Sequence, residues 1–224
     1  DKADGDRNLL VILDNEKAYI INRNNNIKYL GASLIGLSNT IIDGEYITKN
    51  KNGDNISLFM AFDIYYHNGT DLRNRFLNRA KGEATGSERS RLEHLEDIFK
   101  SIELQVDSED NKLELFLKKF AYGDIYDNSD DIKHNIDRLR SLMADMDPDS
   151  ADYKSYQASI DSMAPDSTIF EEAKKLYEKE YPYNIDGLIV TPVELQVGEE
   201  PQVSKKNQFN GRWYRSFKWK PPEE

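Results

Sequence analysis

TIIDGEYITKNKNGDNISLFMAFDIYY, residues 40–66, contains two strand-like runs on either side of a polar turn. TIIDGEYI and ISLFMAFDIYY are rich in β-branched and aromatic residues, and the Asn50 to Asn55 stretch between them is built of turn-formers. Toward the N-terminus NLLVIL, AYII and IKYLG repeat the pattern, with a second polar turn at Asn22 to Asn26. Residues 8–65 therefore read as antiparallel sheet. Asn68-Gly69-Thr70 fits the glycosylation pattern but reads as a turn.

At Thr70 the character changes. Leu72, Phe76 and Arg79 begin a helical spacing. A longer helix is predicted from about Glu88 to Ile102, with Leu92, Leu95, Phe99 and Ile102 on one stripe, and Gly82 and Gly86 divide the two. LELFLKKFAYGD, residues 113–124, returns to a strand pattern, and Ile132, Ile136, Leu139 and Met143 recur at helical spacing after it. MADMDPDSADY reads as an acidic turn or linker. The eight carboxylates from Asp145 to Glu172, against a single Lys154, read as a solvated face because they are not spaced like a calcium loop. Thr168 with Glu171 predicts a capping box for a helix to Glu180, stopped before Pro182. GLIVTP, VELQV and RWYRSFKWK are strand-like again. The expected organisation is one α+β domain over residues 1–224, with strands from both ends sharing a core and a helix-rich portion at 70–180.

Composition narrows the function classes. A chain of 224 residues can bury a sizeable core, and 38% hydrophobic with 32% charged residues suits neither a disordered nor a membrane chain. The net charge of −11 repels polyanions on average, so any nucleic-acid site must be a local basic patch. Lys205, Lys206, Arg212, Arg215, Lys218 and Lys220, with no acid among them, form one. The absence of cysteine excludes disulfides, thiolate metal sites and thiol catalysis. Three histidines scattered at 67, 94 and 134 argue against a His-rich metal site. DKADGDRNLL has no basic segment followed by a long apolar one, and no apolar stretch approaches transmembrane length, so a cytoplasmic setting without a membrane partner is expected.

Five short segments place charge beside glycine or inside an apolar strand. They are Lys2-Ala3-Asp4-Gly5-Asp6-Arg7, Asp43-Gly44-Glu45, Asp63 after FMAF, Asp186-Gly187-Leu188-Ile189-Val190, and FKWKPP with Lys218 and Lys220 on one face of a strand. Each has an ordinary structural reading, since Asp-Gly is usually a turn and a strand lysine often protects an edge. Gathered on one sheet, they would make a site for phosphate and a divalent metal. A lysine clustered with other cations is also available as a nucleophile, so covalent chemistry needs neither cysteine nor a Ser–His pair.

These segments resemble the motifs of the covalent nucleotidyltransferases, the superfamily of DNA ligases, RNA ligases and mRNA capping guanylyltransferases. KADG is similar to their KxDG nucleophile motif, DGEYI to the third motif, FMAFDIYY to the aromatic-plus-Asp motif after it, DGLIVTP to the fourth and FKWKPP to the fifth. DGLIVTP and KWKPP resemble the capping forms, and DKADGDRNLL and RSFKWKPPEE resemble the guanylyltransferase domains of large cytoplasmic DNA viruses.

The resemblance implies an ATP-grasp-like nucleotidyltransferase core with largely antiparallel sheets and helical insertions. It implies that Lys2 attacks GTP, with Mg²⁺ or Mn²⁺ assisting, to form lysyl-GMP, and that GMP passes to the diphosphate 5′ end of RNA. Arg7 and Glu45 would hold the ribose or orient the nucleotide, Phe62 would stack on guanine, Asp186 would assist the metal, and Lys218 and Lys220 would contact phosphates. Phe62 by alternation alone reads as core, and Asp4, Asp43 and Asp63 also have structural readings. Family members carry strands before KxDG and an oligonucleotide-binding-fold domain after the fifth motif, so the chain is expected to be an excised segment, inactive if isolated. Triphosphatase and methyltransferase domains or subunits are the implied partners, and the virion or viral factory is the implied setting. The rivals are an ATP-dependent DNA or RNA ligase and a noncatalytic scaffold segment of a capping complex.

Overall fold

The structure is a computed structural model that describes residues 1–78, 89–122, 129–144, 146–162, 169–194, 196–197 and 216–221. The fold is mixed α+β, with a curled, largely antiparallel sheet and several helices. The chain divides into two compact units, Asp1–Lys119 with Glu180–Glu224, and Phe120–Lys179.

The first unit is organised on one eight-stranded sheet: β1 (Asp6–Ile12), β2 (Lys17–Asn22), β3 (Ile27–Ile35), β4 (Thr40–Lys49), β5 (Asn55–His67), β6 (Thr70–Asp71), β7 (Glu103–Val106) and β8 (Leu113–Leu117). The order is β6-β5-β4-β1-β2-β3-β7, and β8 joins β5 as a parallel pair. The turns form where polar residues supply local acceptors. Asn22 Oδ1 accepts from the amides of Asn24 and Asn26, and Asn50 Oδ1 from those of Asn52 and Asp54. Asn68 and Gly69 both have positive φ, as a two-residue hairpin turn between β5 and β6 requires.

Period-2 alternation buries Leu10, Ile12, Ala18, Ile20, Ala32, Leu34 and Ile42 on one face. Helix α1 (Arg91–Ser101) packs on β5 and β8 through Leu92, Leu95 and Ile98, while Phe99 and Ile102 are only half-buried. Its start is set by a capping box between Ser90 and Glu93; Glu88, where the sequence suggests the start, lies outside the described residues. Arg91 is fully buried and forks onto Asp63 of β5, with Nε–Oδ1 2.7 Å and Nη2–Oδ2 3.0 Å.

Two expectations need correction. Residues 72–78 are turns and bends rather than a helix. Their carbonyls have another use, because Phe76 and Leu77 accept from the amides of Arg91 and Leu92 and satisfy the open start of α1. Arg79, Gly82 and Gly86 lie outside the described residues. Residues 193–194 of VELQV are bends, and strand β7, unforeseen in the sequence, follows α1 directly. The C-terminal strands do not extend the large sheet: β9 (Leu188–Val190) and β10 (Phe217–Trp219) form a two-stranded sheet of their own. It is fastened within the unit by a bridge between Ala3 and Ile185, and by the packing of Tyr183, Tyr181 and Ile185 on Ala3, Ile47, Leu58 and Met60.

The second unit contains α2 (Ser129–Met143), α3 (Ala151–Ser162) and α4 (Ile169–Glu178), with Met143 and Ile160 buried. Helix α3 occupies part of the stretch read as a solvated acidic face. Thr168 lies outside the described residues, as do Asp145 and Asp166. Among the described residues no helix is long and apolar enough to cross a membrane.

Candidate functional site

The two ends of the chain meet at Lys2. Its amide donates to the Gly187 carbonyl at 2.8 Å, and its own carbonyl accepts from Asp186 N at 3.0 Å. This backbone pairing sets the side chains face to face. Lys2 Nζ donates to both Asp186 oxygens, at 2.5 and 2.7 Å, and Lys220 Nζ lies 2.9 Å from Asp186 Oδ2. The triad is accessible, with Lys2, Asp186 and Lys220 side chains 19%, 32% and 61% exposed. Burial pushes the Asp186 carboxyl up, but hydrogen bonds from Lys2 and Lys220 outweigh it and hold the group below its ordinary range.

The glycines of the three Asp-Gly pairs permit close approach rather than hairpin turns. A Cβ on Gly5 would lie 2.9 Å from Tyr46 O and from Glu45 Cγ, and one on Gly44 would lie 2.4 Å from the Phe59 ring. Gly187, at φ +140°, brings its Cα against the backbone of β10, where a Cβ would lie 1.9 Å from Trp219 O. Asp186 and Lys220 are neighbours because residue 187 has no side chain.

Arg7 and Glu45 sit opposite each other in the β1–β4 ladder. Arg7 forks onto buried Asp43, Nε–Oδ1 3.0 Å and Nη2–Oδ2 2.5 Å, and Tyr65 OH donates to the same Asp43 Oδ2 at 2.5 Å. The hydrogen bond it donates to Asp43 holds the Arg7 guanidinium above its usual range. Glu45 is half-buried, and burial raises its carboxyl pKa against the pull of Lys118 and Lys2.

Phe62 does not belong to the core. Asp43 pairs with Asp63 and Gly44 with Ala61, so Phe62 is the extra residue of a β-bulge. Its ring is half-exposed between two cations. Arg7 Cζ is 5.9 Å from the ring centroid and Lys118 Nζ is 5.8 Å from it.

Lys118 is the residue that motif reading missed. The amide after β8 donates to Ala61 O at 2.8 Å, which carries Lys118 alongside Phe62, and its side chain is only 10% exposed. Nζ donates to the Asp1 carbonyl at 2.7 Å. Burial, opposed by Glu45 and assisted by Lys2, lowers its pKa to about 8. A lysine closing the apolar run LELFL was the available signal, the same one that singled out Asp63.

Lys2, Asp186 and Lys220 are thus in direct contact, and Glu45, Lys118, Phe62 and Arg7 continue from them along β1, β4 and β5. Lys218 is outside this contact: it pairs in the ladder with Ile189, and its side chain makes no hydrogen bond or ion pair among the described residues. Asp63 is spent on Arg91, Asp43 on Arg7, and Asp4 is exposed with its amide bonded to Asn184 O. The basic run at 205–215 lies outside the described residues.

No group of three or more His, Asp or Glu among the described residues could cage a metal. Asp186 supplies one hard carboxylate, the donor set of an ion that arrives with nucleotide phosphates. Compared with known proteins, the chain matches no family model and no curated sequence.

Proposed function

We propose that the chain is the catalytic core of an mRNA guanylyltransferase. What supports the reading is the Lys2–Asp186–Lys220 triad: residues from opposite ends of the chain converge on one accessible carboxylate, beside a stacking ring, an arginine–glutamate pair and a buried lysine. In-line phosphoryl transfer needs positioning and charge neutralisation more than proton abstraction, and this site is rich in both.

The Lys2 amine, relieved of a proton, attacks the α-phosphorus of GTP. The N–P bond forms, the bond from phosphorus to the bridging oxygen breaks, and pyrophosphate leaves with the electron pair. Asp186, hydrogen-bonded to Lys2, aims the amine, whose proton leaves to water. Lys220 and Lys218 meet the phosphate oxygens. Guanine stacks on Phe62, with Lys118 at the ring, and Arg7 and Glu45 take the ribose. A Mg²⁺ or Mn²⁺ ion held by Asp186 and the phosphates would neutralise charge on the departing pyrophosphate. In the second half-reaction a terminal oxygen of the RNA 5′-diphosphate attacks the same phosphorus, the P–N bond breaks and Lys2 takes back a proton.

The test is covalent labelling. Incubated with α-labelled GTP and Mg²⁺ or Mn²⁺, the protein retains label through denaturing electrophoresis. Preference for ATP moves the assignment to a polynucleotide ligase, and no label from either nucleotide favours a scaffold.

A further inference from the structure

A second cationic cluster lies at the far end of β5, roughly 15 Å along the strand from Phe62. His67 ends β5 and His94 lies in α1, and their rings meet edge to face with centroids 5.7 Å apart. Arg75 joins them: its Nη1 is 3.3 Å from His94 Nε2 and donates to the Arg89 carbonyl at 3.1 Å. A guanidinium can only donate, so Nε2 is the acceptor and His94 carries its proton on Nδ1.

The neighbouring arginines have carboxylate partners. Arg73 is held by Asp71, Arg89 by Asp97 and Arg91 by Asp63. Arg75 is half-buried and has no carboxylate partner among the described residues. In a chain of net charge −11, a half-buried arginine left to a neutral imidazole marks a place where the counter-charge comes from elsewhere.

The surroundings agree. Burial, then Arg75, Arg89 and His67, hold His94 below the ordinary imidazole range, against Asp97 alone; burial and Arg89 do the same to His67. Neutral now, each ring gains a second N–H donor as soon as an anion offsets the arginines.

We propose that Arg75, His67 and His94 form a phosphate-binding subsite. One phosphate oxygen takes the place of His94 Nε2 as acceptor for Arg75, and the protonated imidazoles donate to the others. The subsite is separate from the Lys2 triad and does not depend on guanylyl transfer.

The imidazole Hε1 resonances of the whole chain, followed against pH with inorganic phosphate or sulfate, test this with exposed His134 as reference. Sulfate keeps its charge through the titration and separates the histidines' protonation from that of phosphate. The expected result is a raised pKa for His67 and His94 but not His134, with binding that weakens as pH rises through their titration. Arg75→Gln weakens binding roughly ten- to a hundredfold, the effect of one charge-assisted hydrogen bond, and Arg75→Lys recovers part of it. If Arg75→Gln does not fold, His67→Asn, which leaves the Arg75 contacts intact, must weaken binding instead. A short single-stranded RNA acting at lower concentration than phosphate identifies the source as nucleic-acid backbone; a response to phosphate alone identifies a free phosphate. Unmoved His67 and His94 with all three probes, or undiminished binding in a folded variant, overturns the proposal. GTP labelling is no part of the readout, so either reading can fail without the other.

Discussion

Two carboxylates of the first unit are each held by basic side chains, to opposite ends. Asp63 is gripped by Arg91 through a planar fork, with side chains 12% and 1% exposed, where β5 meets α1. Asp186 is held by two lysines at an accessible edge, with 32% of its side chain exposed. The arginine fork is rigid, permanently charged and closed to solvent, so its only product is the docking of α1. The lysines are point charges on flexible stems. They can exchange a carboxylate for a phosphate, and one can give up a proton. Charge pairing is therefore a poor marker of a site by itself; burial and the kind of cation decide which pair is free to react.

The comparison can be broken first at the buried pair. Arg91→Ala strands Asp63 inside the protein, and is expected to cost about 3–5 kcal/mol in chemical denaturation. A loss under 1 kcal/mol would mean the fork does not hold the fold. Lys118→Met gives the next largest effect, with the opposite sign. The folded pKa of about 8 lies below the ordinary 10.5, so between these values the unfolded chain binds more protons and stability rises with pH. Below pH 8 the full cost of burying the charge is present. Lys118→Met is expected to stabilise the protein at pH 7 by roughly 1–3 kcal/mol and to flatten that slope, read from urea midpoints between pH 7 and 10. The smallest stability effect belongs to the triad. Asp186→Asn should change stability by less than about 1 kcal/mol, as for other accessible ion pairs, while slowing lysyl-GMP formation. A loss matching that of Arg91→Ala would make the triad a structural device.

The sheet was legible because its strands alternate and its turns carry asparagines with specific jobs: Asn22, Asn50 and Asn68 each hold the turn they occupy. The spacing of Leu72 and Phe76 misled because a loop with carbonyls committed to α1 can place apolar residues at the same intervals, one buried and the other exposed. Asp-Gly pairs looked like turns in isolation, yet their glycines serve interstrand contact, a tertiary property invisible one segment at a time. Phe62 looked like core because alternation assumes a regular ladder, and a one-residue bulge reverses the side on which a residue falls. Lys118 belonged to no quoted motif, and its place beside Phe62 comes from the parallel pairing of β8 with β5. Arg91 carried no signal at all, since a helix-start arginine is ordinarily solvated.

The central claim is that Lys2 is the nucleophile and the other lysines are not. Single-turnover reaction with α-labelled GTP, followed by mass spectrometry of the peptides, locates the modified amine. The account predicts GMP on Lys2 alone. It predicts complete loss in folded Lys2→Arg, whose guanidinium keeps its proton, and slowing by roughly 10²–10³-fold in Lys220→Ala if its contact belongs to the transition state. GMP found on Lys118 or Lys220, or label persisting in folded Lys2→Arg, would contradict it.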